Sequence, residues 1–529
     1  MTASRDRGGD DIEVSEYAGG PVTDDATEMG RDHVRGSMLL LLGRVASLLF
    51  TVATQVVIVR ALSKEDFGVF AFAFTMVGAG RVLLSLGQGR LLSRFMAKYE
   101  EENDYPRMLG SMVLAVGTIA ITSTVVLVVV GIFAGSLVDA TLDAPNAVQV
   151  LLVLMFLAPL EALDQVFVAL FAAFTRPRAI FFRKYIVTPG LRLIVVLVIA
   201  ILGGSVFQLA LGYLITSLIG IVIYVVLLVG VLRGRGIMHH FHPRRIILPF
   251  KAVFSFSLPT LTSELVFLAT HTLTVLLLGI YWAATEVADF RAVLPAARLN
   301  QAVYQTFVTL FLPMAARLFA RSDHGGLRST YWHSSVFLAV ATYPIFAMTT
   351  VFARETTVTL FGERYASAGW VLMAMCVGYY FSIALGFNVF VLQVYGRLGF
   401  LVWSNVGVAA VSVGLMLLLI PEYGALGAAI ATTATLVGQN VVNQIVLNKT
   451  LHAATGGRGE RYLRPYLVIV AVTAALAAVN AVFHPSFVIA IVIAAVGSLI
   501  VLRLTRESLQ LSTTFPELTR VPLLRRLIH

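Results

Sequence analysis

Several ionisable residues lie inside long apolar stretches of this chain. Four are the arginines Arg44, Arg81, Arg291 and Arg298, and two more are Glu264 and His271. An ionisable side chain at the centre of a bilayer costs about 2.5–3.5 kcal/mol on insertion scales, so such residues are candidates for function. A guanidinium group binds phosphate oxygens through forked, charge-assisted hydrogen bonds. A mainly cationic set therefore suits a diphosphate or another anionic group, and suits a cationic compound poorly.

Polar residues recur at helical spacing along one face of four of these stretches. They are Arg44, Ser47, Thr51 and Thr54 or Gln55; Arg81, Ser85 and Gln88; Thr260, Glu264, His271 and Thr274; and Arg291, Arg298, Gln301 and Gln305. Such stripes must face protein or water, because lipid would leave them unsatisfied. We therefore predict a cavity whose binding residues are Arg44, Arg81, Arg291, Arg298, Thr51 and Gln301. Glu264 and His271 lie two turns apart and are candidates for proton uptake and release.

Structural roles compete with binding at several of these positions. Arg44 and Arg291 lie near predicted helix ends, from which an arginine can extend to the membrane surface. The i, i+3 pair Glu161 and Asp164 offers counter-ions for Arg81 and Arg298. Arg192 has no polar stripe around it and is expected to pack against such a carboxylate, and a hydrogen-bonded packing role is the alternative for His271. The amides Asn405, Gln439, Asn440, Asn443 and Gln444 are interpreted as hydrogen-bonding partners between helices.

The elements that position these residues are fourteen predicted membrane-spanning helices. They cover residues 36–59, 67–89, 108–137, 147–174, 185–202, 207–232, 252–280, 291–316, 331–352, 366–393, 400–420, 423–448, 466–483 and 485–502. Most are close to the ~20 residues that a bilayer core requires, and the longer ones can tilt. With 58% hydrophobic and 13% charged residues and a mean hydropathy of +0.86, the chain is predicted to be an all-α polytopic membrane protein.

The lysines and arginines fall mostly in alternate connections. The odd-numbered connections hold only Arg60, Lys64, Arg354 and Arg364 of the 39 basic residues. The positive-inside rule therefore places both termini and every even-numbered connection in the cytoplasm, with the chain in the plasma or inner membrane. The net charge of +10 does not indicate nucleic-acid binding, because the basic residues form no continuous stripe. An attraction to anionic membrane lipids is the expected consequence.

The first six spans superpose on the next six with a constant offset of 220 residues, which places Arg44 on Glu264, Thr51 on His271 and Arg81 on Gln301. Because six is even, the two copies have the same orientation, a repeat that is typical of alternating-access transporters. We predict a disordered tail (1–35), a first lobe (36–232), a linker (233–251), a second lobe (252–448), two further helices (466–502) and a second tail (503–529).

Catalysis is not predicted. No connection between spans exceeds about twenty residues, which leaves no room for a folded catalytic domain, and the sequence has no Walker A loop, HExxH or CxxC motif. No metal or cofactor is expected. The single cysteine, Cys376, lies inside a span and is interpreted as a packing residue.

Three segments resemble the polysaccharide-transporter branch of the multidrug/oligosaccharidyl-lipid/polysaccharide exporter superfamily. They are RALSKEDFGVFAFA (60–73), LFGERYASAG (360–369) and PEYGALGAAIAT (421–432). The resemblance covers nearly all of the chain from residue 36 to residue 504. It implies a two-lobed, V-shaped transporter that flips a polyprenyl-linked oligosaccharide outward, as O-antigen flippases do. By the same resemblance, the diphosphate and sugar occupy the cationic cavity while the lipid tail stays in the bilayer.

Other functions remain open from the sequence. Multidrug exporters of this superfamily often carry an acidic residue in the first span, where this chain has Arg44. The lipid II flippases, in contrast, are also basic inside and have fourteen spans. The alternatives are therefore a lipid II-type flippase, an ion-coupled small-molecule exporter, or a scaffold for a glycan-assembly complex that transports nothing. A monomer is favoured because the two lobes already form the pathway, with glycan-assembly proteins as possible partners.

Overall fold

The computed structural model describes residues 24–85, 88–142, 144, 146–240, 246–250, 268, 272–455 and 463–509. Regular structure within these residues is entirely helical, which confirms the all-α prediction. Helices α2 and α13, defined below, lie at the centre, since 67% of the most apolar stretch of each is buried. The corresponding share is only 6% in α6 and 11% in α15, which lie at the periphery and present apolar side chains to lipid.

The helices of the first half are α1 (Asp24–Ala61), α2 (Lys64–Ser85), α3 (Gln88–Glu101), α4 (Tyr105–Thr141), α5 (Ala147–Ala173), α6 (Pro177–Leu202) and α7 (Val206–Gly234). Those of the second half are α8 (Thr272–Tyr281), α9 (Ala284–Ala297), α10 (Leu299–Ala320), α11 (His324–Thr350), α12 (Ala353–Phe361), α13 (Ala368–Val394), α14 (Leu398–Thr455), α15 (Leu463–Phe483) and α16 (Phe487–Leu509).

Within the described part of the chain, ten helices are long and apolar enough to cross a membrane. Two bent pairs raise this number to twelve if each pair is one span: Ala284–Val308 with Phe311–Ala320, and α11 with α12. The 58 residues of α14 would extend roughly 87 Å as one straight helix, against about 30 Å of hydrocarbon core. Helix α8 is a short apolar helix, and most of the residues before it lie outside the description. The count of fourteen stays a prediction.

Helix α14 is two helices joined at a kink. At Gly424 the backbone has φ 54° and ψ −130°, a conformation that glycine tolerates and other residues avoid. Two side chains bind backbone groups around the kink. Glu286 Oε2 on α9 accepts from the Ala425 amide at 2.8 Å, and Trp282 Nε1, in the connection after α8, donates to the Ile420 carbonyl at 2.8 Å. The PEYGALGAAIAT segment therefore encodes a break in the helix.

Replacing Gly424 with alanine is expected to destabilise the protein by about 1–3 kcal/mol, because the new residue must adopt this backbone conformation. Gly414, in the helical part of α14 with open space around it, is a matched control. Gly414→Ala should be neutral or stabilising, since alanine favours a helix by about 1 kcal/mol over glycine. Thermal unfolding of the purified variants compares them, and equal midpoints would contradict the assigned strain.

Several helix ends differ from their predicted positions. Helix α1 begins at Asp24, inside the segment expected to be a tail, and α2 ends at Ser85 rather than at residue 89. The acidic residues Asp24, Asp25 and Glu28 at the start of α1 suit a helix N-terminus, although an acidic composition is also typical of a disordered tail. Helix α6 begins at Pro177 rather than at residue 185, since proline suits the first turn of a helix. A π-helical segment over Phe181–Val187 joins this start to the rest of α6.

Two adjoining cavities as the candidate site

A central cavity of about 730 Å³ lies among helices α2, α5, α8, α9, α10, α13 and α14. Three arginines line it, namely Arg81, Arg291 and Arg298. The rest of the wall is mainly apolar, but it includes several uncharged hydrogen-bonding side chains, among them Thr75, Gln301, Asn405, Thr432, Thr435 and Gln439. A chamber of this composition offers cations for an anion and amide or hydroxyl groups for a polar ligand such as a sugar.

A second cavity of about 470 Å³ lies among α1, α2, α6, α7 and α9. Its cationic lining residues are Lys184, Arg192, Arg291 and Arg298, and its uncharged polar residues include Ser47, Thr51, Thr54 and Gln55. The described lining of this cavity holds no carboxylate. Phe74, Arg291, Leu294 and Arg298 line both cavities, so these four residues form the wall that the two chambers share.

The structure brings most of the predicted binding residues to these cavities. Arg81, Arg291, Arg298 and Gln301 line the central cavity, and Thr51 lines the second. Arg44 lines neither: its side chain is exposed, and its Nε lies 3.5 Å from the Tyr185 hydroxyl oxygen. The two candidates for proton exchange, Glu264 and His271, lie outside the described residues.

Arg291 does not lie near a helix start. Helix α9 begins at Ala284, two turns earlier, so the side chain faces both cavities from the middle of α9. Arg298 lies where α9 meets α10, with φ −89° and ψ 0°. Pro295, one turn before it, removes a helical hydrogen bond and favours a break at this point.

The three arginines of the central cavity form no ion pair with the carboxylates that the structure describes. Arg298 Nε donates to the Tyr379 hydroxyl at 2.9 Å, and the guanidinium lies 5.6 Å from the centre of that ring. Arg81 Nε is buried without a hydrogen-bond partner within the described residues. Within the described residues, the unpaired donors of these arginines are therefore available to an anion that enters the cavity.

The carboxylates expected to neutralise Arg81 or Arg298 bind other arginines, so that expectation is wrong. Glu161 Oε1 lies 3.3 Å from Arg192 Nη2, and Asp164 forms an ion pair with Arg183. The i, i+3 spacing of Glu161 and Asp164 indicates that they lie on the same side of one helix, but it does not indicate which residues they contact. The expectation that Arg192 packs against such a carboxylate is confirmed.

Of the five amides interpreted as contacts between helices, Asn405, Gln439, Asn440 and Gln444 form hydrogen bonds, whereas Asn443 Oδ1 is buried without a partner among the described residues. Two of the five also face the central cavity. Gln439 Nε2 donates to Asn405 Oδ1 at 2.7 Å across the two arms of α14, and both side chains line the chamber. Asn440 donates to Ser382 at 3.1 Å. Two residues that line the cavities are not predicted from the sequence. Lys184 falls in a predicted loop, and Tyr379 lies in a predicted span that has no stripe of polar residues.

Residues near the starts of α2 and α9 and around α12 contact each other in a group that we call the closing contact. Arg60 Nε donates to the Leu360 carbonyl at 2.9 Å, and Arg364 donates in return to the Arg60 carbonyl at 2.9 Å. Beside them Lys64 Nζ lies 2.8 Å from the buried Asp289 carboxylate. The RALSKEDFGVFAFA and LFGERYASAG segments thus contact each other. In the predicted orientation, this is the non-cytoplasmic end.

Replacing Lys64 with methionine is expected to weaken the closing contact, because Asp289 would keep its burial and lose its cation. If the closed state loses about 1–2 kcal/mol of stability, the fraction of molecules that are open at this end rises roughly 5- to 30-fold. The chain has one cysteine, so a Cys376→Ser background allows a reporter cysteine at Thr75 in the central cavity. The rate of its labelling by an impermeant thiol reagent added outside measures opening.

Lys98→Met is the matched control for this experiment, since Lys98 pairs with Glu102 on an exposed surface at 3.7 Å. Labelling in this variant should equal that of the parent. Equal labelling in Lys64→Met and Lys98→Met would contradict the assignment of the closing contact.

The sequence profile of the family described as "Polysaccharide biosynthesis protein" matches residues 57–369, more than half of the chain. The chain belongs to this family. The matched range begins in α1 and ends in α13, so it contains the closing contact and all three arginines of the central cavity. None of the curated proteins matches the chain.

Solved structures of the multidrug/oligosaccharidyl-lipid/polysaccharide superfamily share the fold. The lipid II flippase MurJ in an inward closed conformation matches with a TM-score of 0.67 and 13% identity, over 90% of this chain and 99% of its own. An inward-facing multidrug resistance MATE family transporter matches with a TM-score of 0.61 and 13% identity, over 79% of this chain and 100% of its own. A superfamily transporter from Pyrococcus furiosus matches with a TM-score of 0.50 and 16% identity, over 80% of this chain and 96% of its own. Its binding pocket is described as having reverse polarity. The chain is therefore a multi-pass membrane protein with this superfamily's fold, as the three segments indicated.

Proposed function

We propose that this family member is an alternating-access flippase. Its cargo is a polyprenyl-diphosphate-linked oligosaccharide, such as an O-antigen unit or a similar surface-glycan precursor, which it moves from the cytoplasmic to the outer leaflet. The observation that carries the proposal is the central cavity, where three arginines lie without a carboxylate partner within the described residues. Membership of the polysaccharide biosynthesis family supports the glycan part of the cargo.

The chemistry of the lining divides the cargo into two parts. Arg81, Arg291 and Arg298 bind the diphosphate, because guanidinium forks match the geometry of phosphate oxygens. Gln301 on α10 and the Asn405–Gln439 pair on α14 supply donors and acceptors for sugar hydroxyls. Thr51 contributes from the second cavity. Arg44 is left out of the headgroup site, since it lines neither cavity.

Movement of the cargo needs two states with different affinities for it. In the state described, the closing contact shuts one end, and the cargo binds from the other. Binding of the diphosphate neutralises the arginines and lets the lobes rock apart at the closing contact. The predicted lobes, 36–232 and 252–448, are the bodies that move in this scheme. The protein acts as a monomer in the plasma or inner membrane with both termini in the cytoplasm, surrounded by lipids and available to glycan-assembly proteins.

A lipid II-type cargo is the second candidate, and the fold shared with the lipid II flippase MurJ favours it. Both cargoes contain a polyprenyl diphosphate, so the arginines serve either one, and the sugar decides between them. Export of organic cations is disfavoured by the charge of the lining. The Pyrococcus furiosus transporter is a precedent for reversed pocket polarity within this fold.

The test is transbilayer movement in liposomes that contain the purified chain. Undecaprenyl-diphosphate-linked oligosaccharide is placed in both leaflets, and a glycosidase added outside reports how much of it becomes accessible. The wild type should expose nearly all of the lipid, whereas protein-free liposomes and an Arg81→Gln/Arg298→Gln double variant should stop at the outer-leaflet half. Movement no faster than in protein-free liposomes would overturn the proposal. Movement of lipid II without movement of the oligosaccharide-linked lipid would instead support the second candidate, a lipid II-type flippase.

A further inference from the structure

The two cavities together hold more positive charge than a diphosphate neutralises. Glu161 is the one carboxylate in their described lining, and the cations there are Arg81, Lys184, Arg192, Arg291 and Arg298. A diphosphate that joins a lipid to a sugar has a single ionised oxygen on each phosphate. Its charge and that of Glu161 therefore leave part of this positive charge unmatched.

Lys184 is the cation of the second cavity to which no other role is assigned. Arg192 contacts Glu161 at 3.3 Å, and the two other arginines of this chamber also line the central cavity. Lys184 forms no ion pair with a carboxylate that the structure describes. Its ammonium lies 5.9 Å from the centre of the Tyr185 ring, a contact that leaves the N–H donors available. An acidic group in this chamber can therefore bind Lys184.

The backbone around Lys184 is irregular. Phe181–Val187 forms a π-helical segment, and such segments are frequent at functional sites. Arg183, the preceding residue, lines neither cavity: it pairs with Asp164 and donates to the Gly220 carbonyl at 3.2 Å. Two consecutive cations thus have different surroundings, a structural ion pair for Arg183 and the wall of the second cavity for Lys184.

The rest of the second cavity suits a sugar. Its volume of about 470 Å³ lies within the range of small-molecule sites, roughly 300–1,000 Å³. Hydroxyl and amide side chains of α1 and α6 line it, namely Ser47, Thr51, Thr54, Gln55 and Thr188. These groups offer donors and acceptors to sugar hydroxyls in the same chamber as the Lys184 ammonium.

We infer that the oligosaccharide of the cargo is acidic and that Lys184 binds its acidic group, such as the carboxylate of a uronic acid, in the second cavity. The inference rests on the proposed function, because it specifies the sugar of the same cargo. The diphosphate lies with Arg81 in the central cavity. Sugar residues farther along the glycan pass Arg291 and Arg298, which line both chambers, and reach Lys184. The contact there is a charge-assisted hydrogen bond from ammonium to carboxylate.

The test compares the affinities of the purified full-length chain, in detergent, for two undecaprenyl-diphosphate-linked oligosaccharides. They are identical except that the terminal sugar is glucuronic acid in one and glucose in the other. The wild type should bind the acidic cargo at least about tenfold more tightly, as expected for a hydrogen bond between charged groups. Lys184→Gln should bind both cargoes with the affinity that the wild type has for the neutral one.

Two further variants make this comparison specific to Lys184. Lys184→Arg should keep most of the preference for the acidic cargo, because arginine retains the positive charge. Lys98→Gln is the matched control, since Lys98 pairs with Glu102 at 3.7 Å on an exposed surface. Its preference should equal that of the wild type.

The outcomes separate this inference from the flippase proposal. If the wild type binds the two cargoes equally, the cargo sugar is not acidic, whereas the flippase proposal stands because both cargoes carry the diphosphate. That comparison requires no variant to fold. A preference that persists in Lys184→Gln, or equal losses of affinity for both cargoes in this variant, overturns the role of Lys184. No binding of either cargo by the wild type overturns the inference and the proposed function together.

Discussion

Replacing Arg298 with alanine is expected to reduce transbilayer movement of the glycan precursor by about 10- to 150-fold. Arg298 lines both cavities, and its hydrogen bond to Tyr379 holds the guanidinium at the wall between them. A hydrogen bond to a charged group contributes about 1.5–3 kcal/mol, which sets the size of the loss. The initial rate in the liposome assay measures it, with thermal unfolding to show that the variant is folded.

Two further variants make the Arg298 experiment specific. Arg298→Lys should retain part of the rate, because lysine keeps the charge and loses the planar fork. Arg44→Ala should transport at close to the wild-type rate, since Arg44 is exposed and lines neither cavity. An Arg44→Ala variant as inactive as Arg298→Ala would mean that the cargo lies elsewhere, and a fully active Arg298→Ala would remove the basis for an anionic cargo.

Replacing Gly68 with alanine is expected to prevent full closure at the closing contact. Helices α2 and α9 approach so closely there that a Cβ on Gly68 would overlap the carbonyl oxygen of Ala284. A backbone carbonyl cannot rotate away, so the helices must separate. Overpacking of this kind costs about 1–3 kcal/mol. This free energy corresponds to a roughly 5- to 150-fold shift away from the closed state.

The Thr75 reporter cysteine measures this shift from outside, and labelling in Gly68→Ala should exceed that in Lys64→Met. Gly117→Ala is the control, because Gly117 lies within helix α4 and has open space where its Cβ would go. It should label like the parent and be slightly more stable. Labelling of Gly68→Ala at the parent rate would show that α2 and α9 do not need this close approach.

Helical periodicity was enough to predict several of the polar residues that line the two cavities. A helix places residues three, four and seven apart on one face, so the sequence alone predicts that Arg291, Arg298 and Gln301 share one stripe. The same rule does not give the partner across the interface. The expected pairing of Glu161 and Asp164 with Arg81 and Arg298 is therefore wrong, since these carboxylates bind Arg192 and Arg183.

Local backbone irregularities account for the other differences. Lys184 was counted as a loop residue because a span was expected to begin at residue 185. The earlier start at Pro177 and the π-helical segment carry it into the second cavity. The break at Arg298 and the kink at Gly424 likewise set the direction of side chains in a way that hydropathy does not record.

The central claim is that unpaired arginines between the two halves hold an anionic headgroup. Binding of undecaprenyl-diphosphate-linked oligosaccharide to the purified chain tests it most directly, with the Arg81→Gln/Arg298→Gln variant and an organic cation such as ethidium in parallel. We expect that the affinity for this lipid weakens with added salt and falls at least about tenfold in the double variant, and that ethidium does not displace the lipid. Equal binding by the double variant, or displacement of the lipid by ethidium, would contradict it.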